Sequence, residues 1–251
     1  MSVTVKRAAG RRRRARRPAG PRADDPRVVR SRAAVVEAAR ELFLRKGYAG
    51  TTMEEIAALA GLTKRTLYNN YVDKGALFIG IVTDVMAFAE TFARGVRQEF
   101  TVGVTPANLH STLDDLGRRL ALQIMRPEVV ALRRLLIGEA REFPALGAKY
   151  FDRAPGQVLE ALAAGFAHLG QIGLLRVADE RLAAAQFAYL VVGEPLDRAM
   201  LVGTVPPREH VIARAREGVQ TFLARYGPSS RTAKPFDSGV TSDSLKKPRE
   251  D

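Results

Sequence analysis

From residue 63 to residue 69 the chain reads Thr-Lys-Arg-Thr-Leu-Tyr-Asn, which gathers Lys64, Arg65, Thr66, Tyr68 and Asn69 into one short stretch. Cationic donors, a hydroxyl, an amide and a flat aromatic are the side-chain types that bond base edges and phosphate oxygens. Other chemistry-bearing clusters are thinner. His110 and Asp114 lie four apart on a predicted helix, a spacing that serves a surface hydrogen-bonding pair better than half a metal site. His168, inside the apolar run LAAGFAHLGQIG, reads as a buried histidine with satisfied nitrogens, and His210 beside Glu209 reads as solvated. Gly165 and Gly170 have the separation of a phosphate loop, but Gln171-Ile172 follow where Lys-Ser/Thr is required. The chain has no cysteine, so thiolate metal sites, disulfides and cysteine nucleophiles are excluded. No local Ser/His/acid motif is present. The expectation is therefore a binding protein with no cofactor, not an enzyme.

Binding chemistry on one short helix needs elements that present it. Residues 35–78 read VVEAARELFLRKGYAGTTMEEIAALAGLTKRTLYNNYVDKGALF. Thr52, with Glu55 three residues on, forms a capping box that starts a helix over about 53–60. Thr63 starts a second over about 64–70, and Gly61 permits the tight turn between them. A longer helix over about 27–46, ended by Gly47, backs the pair. Ile56, Ala57 and Ala60 are placed to pack on Leu67, Ala39 and Phe43. This is a helix-turn-helix, whose second helix can enter a major groove about 12 Å wide.

Over the whole 251 residues, 40 basic side chains against 27 acidic ones give a formal net charge of +13. Nine of those units sit in residues 1–30, where eleven Lys and Arg face only Asp24 and Asp25. The region 1–26 is read as a disordered Arg-rich arm and 227–251 as a disordered polar tail. Arginine outnumbers lysine 32 to 8, so the arm reads either as a tracker of phosphates and the minor groove or as a product of base composition. Between the two ends apolar residues recur every three or four positions, predicting about nine helices. The later ones fall at about 74–100, 107–125, 128–142, 145–171, 179–203 and 207–226, with Pro155 and Pro195 expected to kink or split theirs. The longest mostly apolar stretch is taken as 161–175, too short for a bilayer span, so no membrane partner is expected.

The helix-turn-helix segment resembles the DNA-binding domain of the TetR/AcrR family of bacterial regulators. The likeness runs through Val35-Val36, Ala38-Ala39, Leu42-Phe43, Gly47-Tyr48, Thr51-Thr52, Ile56-Ala57, Ala60-Gly61, Thr63, Thr66-Leu67-Tyr68, Tyr71, Lys74 and Leu77. It implies that Thr63 through Asn69 form the recognition helix, that Thr52 and Tyr68 approach phosphates, and that Lys74 holds the DNA backbone. Gly75 stands where the family usually has an acidic residue, and Asn69 and Asn70 replace commoner His or aromatic residues, so base preference does not carry over. Residues 132–201 resemble the C-terminal regulatory domain of an AefR-like subgroup.

The resemblance implies an all-α fold: a helix-turn-helix domain over 27–73, then a larger helical ligand-binding and dimerisation domain over 74–226. Helices 179–203 and 207–226 would form a four-helix dimer interface. Leu182, Ala185, Phe187, Tyr189, Leu190, Leu196 and Met200 offer more apolar surface than one helix needs for its own core, which favours the interface over an intramolecular core. A small-molecule effector would enter a largely apolar pocket, with Phe88, Phe92, Met125, Leu136, Phe166 and His168 as candidates. The expected protein is a cytoplasmic, nucleoid-associated homodimeric repressor on palindromic double-stranded operator DNA. The alternative is a sequence-tolerant architectural protein dominated by the arm.

Overall fold

Apolar residues spaced at three and four build a helix wherever no Gly or Pro interrupts them, and the breakers in this chain set where each one stops. A computed structural model describes residues 26–101 and 103–228, so the expected arm and tail lie, apart from Pro26, Gly227 and Pro228, outside the described residues. The helices are α1 Pro26–Lys46, α2 Met53–Leu59, α3 Lys64–Asn70, α4 Lys74–Thr101, α5 Leu109–Ile124, α6 Pro127–Gly138, α7 Pro144–Phe151, α8 Gln157–Gln171, α9 Glu180–Val202 and α10 Arg208–Tyr226. A π-helical turn, Asp152–Gly156, carries α7 into α8, so the described residues form nine continuous rods and no strand.

The two internal prolines behave differently. Pro155 lies in the π turn, where the missing N–H of proline removes an i→i−4 bond and a widened turn replaces it. Pro195 was expected to kink or split its helix as well. It does not split it: α9 runs unbroken through a buried Pro195. The helix predicted over 128–142 ends early, at Gly138.

The chain divides into two compact units, Met1–Val82 and Thr83–Asp251. In the first, α1 packs on α2 and α2 on α3, around fully buried Val35, Ala39, Phe43, Ile56 and Leu67. Phe43, Tyr48 and Phe78 close a three-ring cluster with centroids 5.3–5.8 Å apart. In the second, α9 packs against α5, α8 and α10. Its core is a run of edge-on and tilted rings, Phe100 on Phe166, then Phe187, Phe222 and Tyr226, with successive centroids 4.7–5.7 Å apart.

The longest largely apolar helix among the described residues is α4, not the 161–175 stretch. Lys74–Phe100 is long and apolar enough to cross a membrane by length and composition alone, with 33% of its most apolar window buried. Its buried residues account for part of that hydropathy: Leu77, Phe78, Ile81 and Val82 belong to the first unit, and Ala93, Val96 and Phe100 to the core of the second. Such a helix serves a folded core as readily as a bilayer.

Gly165 has a packing reason rather than a phosphate-binding one. It is buried on α8, and a Cβ built there would overlap the ring of Phe100. Alanine would gain at most about 1 kcal/mol of helix propensity. Displacing the buried Phe100 ring, which packs edge-on against Phe166, costs more, typically about 1–3 kcal/mol for overpacking and larger when the backbone must move. Gly165→Ala is therefore expected to lower the thermal midpoint, whereas Gly95→Ala, with nothing near its Cβ, leaves it unchanged or raises it. Differential scanning calorimetry of the two variants checks this; equal midpoints would remove the steric role given to Phe100.

Candidate nucleic-acid interface and apolar cavity

Local sequence builds the helix-turn-helix as read. Thr52 accepts a hydrogen bond from Glu55 N at 3.2 Å while Thr52 N donates to Glu55 Oε2 at 3.0 Å, closing the capping box. Thr63 caps α3 by accepting from Thr66 N at 3.2 Å, and the two threonine hydroxyls meet at 2.9 Å. Gly61, at φ +67°, makes the turn between α2 and α3 in the left-handed region that a side chain would strain.

Several of the proposed contact residues are already committed within the protein. Lys64 Nζ lies 3.0 Å from Glu54 Oε1, tying α3 to α2. Lys46 Nζ lies 2.5 Å from Glu55 Oε1, tying the end of α1 to the capping box. Lys74, assigned by resemblance to the DNA backbone, turns its ammonium onto protein carbonyls: Tyr48 O at 2.7 Å, Thr51 O at 2.8 Å and Ala49 O at 3.4 Å. It also lies 4.4 Å from the centroid of the Tyr48 ring. Its three hydrogens are thus taken by the α1–α2 loop, and that loop carries Thr52. Thr51, buried in the same loop, donates to Gly47 O at 2.8 Å.

What remains free on α3 is one face. Arg65, Tyr68 and Asn69, spaced i, i+3 and i+4, are exposed and make no hydrogen bond or ion pair to another described residue. Leu67 between them is fully buried and holds the helix down. Asn70 points back, its amide donating to Thr66 O at 3.0 Å.

The second unit contains an apolar cavity of about 130 Å³. α4 contributes Phe88 and Phe92, α8 Val158 and Leu159, α9 Val192 and Leu196, and the π turn Ala154 and Pro155. Phe88 and Phe92 were expected there; Met125, Leu136, Phe166 and His168 are not among its lining. Met125 and Phe166 are consumed by the aromatic and aliphatic core, and Leu136 is buried away from the cavity. His168 is exposed, contrary to the expected burial, because α8 buries 161, 162, 165, 166 and 169 and turns 164, 168 and 171 outward.

The polar lining was missed by sequence reading: Gln123 of α5, Arg133 of α6, Tyr150 of α7 and Tyr189 of α9. Arg133 carried a signal, an arginine one turn after Val129 on the apolar stripe of VVALRRLLIG. Burial raises the Tyr150 hydroxyl above its ordinary pKa, partly offset by the nearby Arg133 charge, so it is a neutral donor at pH 7. His110 Nδ1 and Asp114 Oδ2 lie 3.4 Å apart at the surface, and no third His or acid joins them among the described residues. His210 meets Glu194 at 3.9 Å rather than Glu209.

Known proteins resemble both units. Residues 35–81 match the family described as bacterial regulatory proteins, tetR family, and residues 111–228 match the AefR-like transcriptional repressor C-terminal domain. A TetR-family transcriptional regulator from Mesorhizobium loti MAFF303099 is 30% identical, with 81% of this chain and 100% of that chain covered and a TM-score of 0.70. The flavonoid-responsive regulator FrrA is 27% identical, with 80% and 100% covered and a TM-score of 0.58. The HTH-type regulator ArpR of Pseudomonas putida is 31% identical over 111 residues, 43% of this chain and 48% of ArpR. The chain thus spans about half the length of the curated relatives it matches.

The capping box has a testable pH signature. The Lys46 ammonium and the Thr52 backbone and hydroxyl hold the Glu55 carboxyl at about 2, well below its ordinary 4.5. A depressed folded-state pKa stabilises the fold above about 4.5 and loses that contribution as pH falls toward 2. Glu55→Gln should therefore melt below the wild type at pH 7, with the gap closing between those two values. A gap constant across that range in circular-dichroism melts would exclude the ionised capping box as its source.

Proposed function

The chain belongs to the TetR family of bacterial regulators, and from that premise we propose that it is a homodimeric repressor released from a palindromic operator by a small, largely apolar effector. A transcriptional regulator of this family binds DNA, and the free Arg65–Tyr68–Asn69 face of α3 is the observation that carries the reading. Arginine and asparagine reach base edges in a major groove, and Tyr68 with Thr63 and Thr66 approaches phosphates. Lys64 reaches a phosphate only by leaving Glu54. Lys74 acts through the loop it holds, keeping Thr52 in register beside the recognition helix. Working on duplex DNA, the protein would reside in the cytoplasm at the nucleoid.

Exposed apolar residues on α9 support dimerisation. Leu182, Tyr189 and Leu190 are 40–65% exposed, whereas Phe187, counted with them on the sequence, is fully buried in the subunit's own core. The outer face of α10 is polar, carrying Arg214, Glu217, Gln220 and Thr221, so α9 would supply most of the apolar contact. A two-fold dimer reads half-sites about one helical turn, 34–36 Å, apart.

The cavity is the proposed effector site, and α4 is the proposed lever. Phe88 and Phe92 face the cavity from the same helix that starts at Lys74. A ligand that binds one arrangement better shifts the population, and moving it from 1:99 to 99:1 takes about 5.5 kcal/mol of differential affinity. FrrA, by its name, responds to flavonoids, which accords with an effector-gated regulator.

An operator selected from random duplexes, used in gel shifts, tests the head. Arg65→Ala and Tyr68→Ala should each weaken binding about ten-fold or more while leaving the dimer intact, the scale of a lost base or phosphate contact. Unchanged binding would remove α3 as the reader. Deleting residues 1–26 should lower affinity on every sequence and flatten its salt dependence without changing operator preference. Loss of all binding on deletion, with no preference in the intact chain, would favour the architectural reading. Leu182→Glu should turn a sedimenting dimer into a monomer.

A further inference from the structure

We propose that the effector is a small monocarboxylate, with an apolar body about one ring in size and its carboxylate held by Arg133 and the Tyr150 hydroxyl. The inference rests on the reading of the cavity as the effector site and adds the charge and size of what enters it.

Several arginines of the second unit are paired with carboxylates, whereas Arg133, which lines the cavity, is not. Arg126 lies 3.5 Å from Glu128, Arg153 lies 2.7 Å from Glu90, and Arg119 lies 2.8 Å from Asp115 and also bonds Glu99. Arg133 is partly buried in the cavity wall and makes no hydrogen bond or ion pair with any described residue. The lining holds no aspartate or glutamate. A guanidinium withdrawn from water without a carboxylate costs free energy, and an entering anion removes that cost.

Tyr150 adds a second unused group. Its side chain is 8% exposed, it lines the same cavity, and its hydroxyl has no partner among the described residues. A neutral phenol donates one hydrogen bond, and a guanidinium donates two in a planar fork, which together suit one carboxylate. Phe88, Phe92, Val192 and Leu196 offer the rest of the ligand a largely apolar wall, in which Gln123 and Tyr189 are the other polar lining residues.

Size and charge limit the class further. The cavity of about 130 Å³ is close to the roughly 150 Å³ of an apolar cavity that takes up benzene. A phosphate dianion would bring a second charge with only one cation to meet it, which an apolar wall penalises. A neutral arene would fill the space but leave Arg133 and Tyr150 as they are.

Calorimetric titration of the full chain with benzoate, benzamide and toluene tests the proposal. Benzoate should bind at least about ten-fold tighter than its isosteric amide, the scale of a charge-assisted pair. Arg133→Gln should erase that preference while leaving toluene affinity within about two-fold, and Arg133→Lys, which keeps the charge but not the fork, should retain part of it. Equal affinity for benzoate and benzamide in the unmodified chain, with toluene bound, would overturn the carboxylate and leave the effector cavity standing. Failure of all three to bind would overturn both. The comparison of the two ligands in the unmodified chain decides the matter even if a variant does not fold.

Discussion

One steric accommodation, the Phe100 ring occupying the space that a side chain at 165 would need, shapes the aromatic core of the second unit. Because Gly165 lets that ring in, Phe166 stacks against it at 5.7 Å, and Phe187, Phe222 and Tyr226 continue the chain of rings. The aromatic volume is thereby spent on one end of α8. At the other end lies the π turn around Pro155, and Val158 and Leu159 line the cavity together with Phe88 and Phe92. Cavity and core are two consequences of the same helix, dense where glycine admits a ring and hollow where proline breaks the hydrogen-bond ladder.

The first unit works by the opposite economy, committing its charges until few are left. Lys46, Lys64 and Lys74 each have protein partners, and two of those partners, Glu54 and Glu55, sit in the first turn of α2. Exposed pairs of this kind contribute little stability individually. Their effect is positional: they hold α1, α2, α3 and the α1–α2 loop in one arrangement and leave Arg65, Tyr68 and Asn69 as the free polar face. The net charge concentrated in residues 1–30 would, on the proposed reading, add affinity that is largely independent of sequence. In the proposed reading, selectivity would rest with a face that carries a single cation.

The sequence by itself determined most of the helices, the starts at Thr52 and Thr63, the left-handed glycines at 47 and 61, and the helix-turn-helix spacing. Those features depend on contacts within a few residues, which a linear pattern contains. Tertiary structure alone decided which polar side chains were spent and which stayed free. Lys74 reads as a phosphate ligand until three carbonyls from 23 to 26 residues away claim it, His168 reads as buried until α8 turns it outward, and Phe166 reads as a pocket wall until three rings enclose it. Arg133 and Tyr150 became a pair only because α6 and α7 border one cavity. Partnership and burial are set by segments distant along the chain, and local periodicity holds no record of which of them arrive.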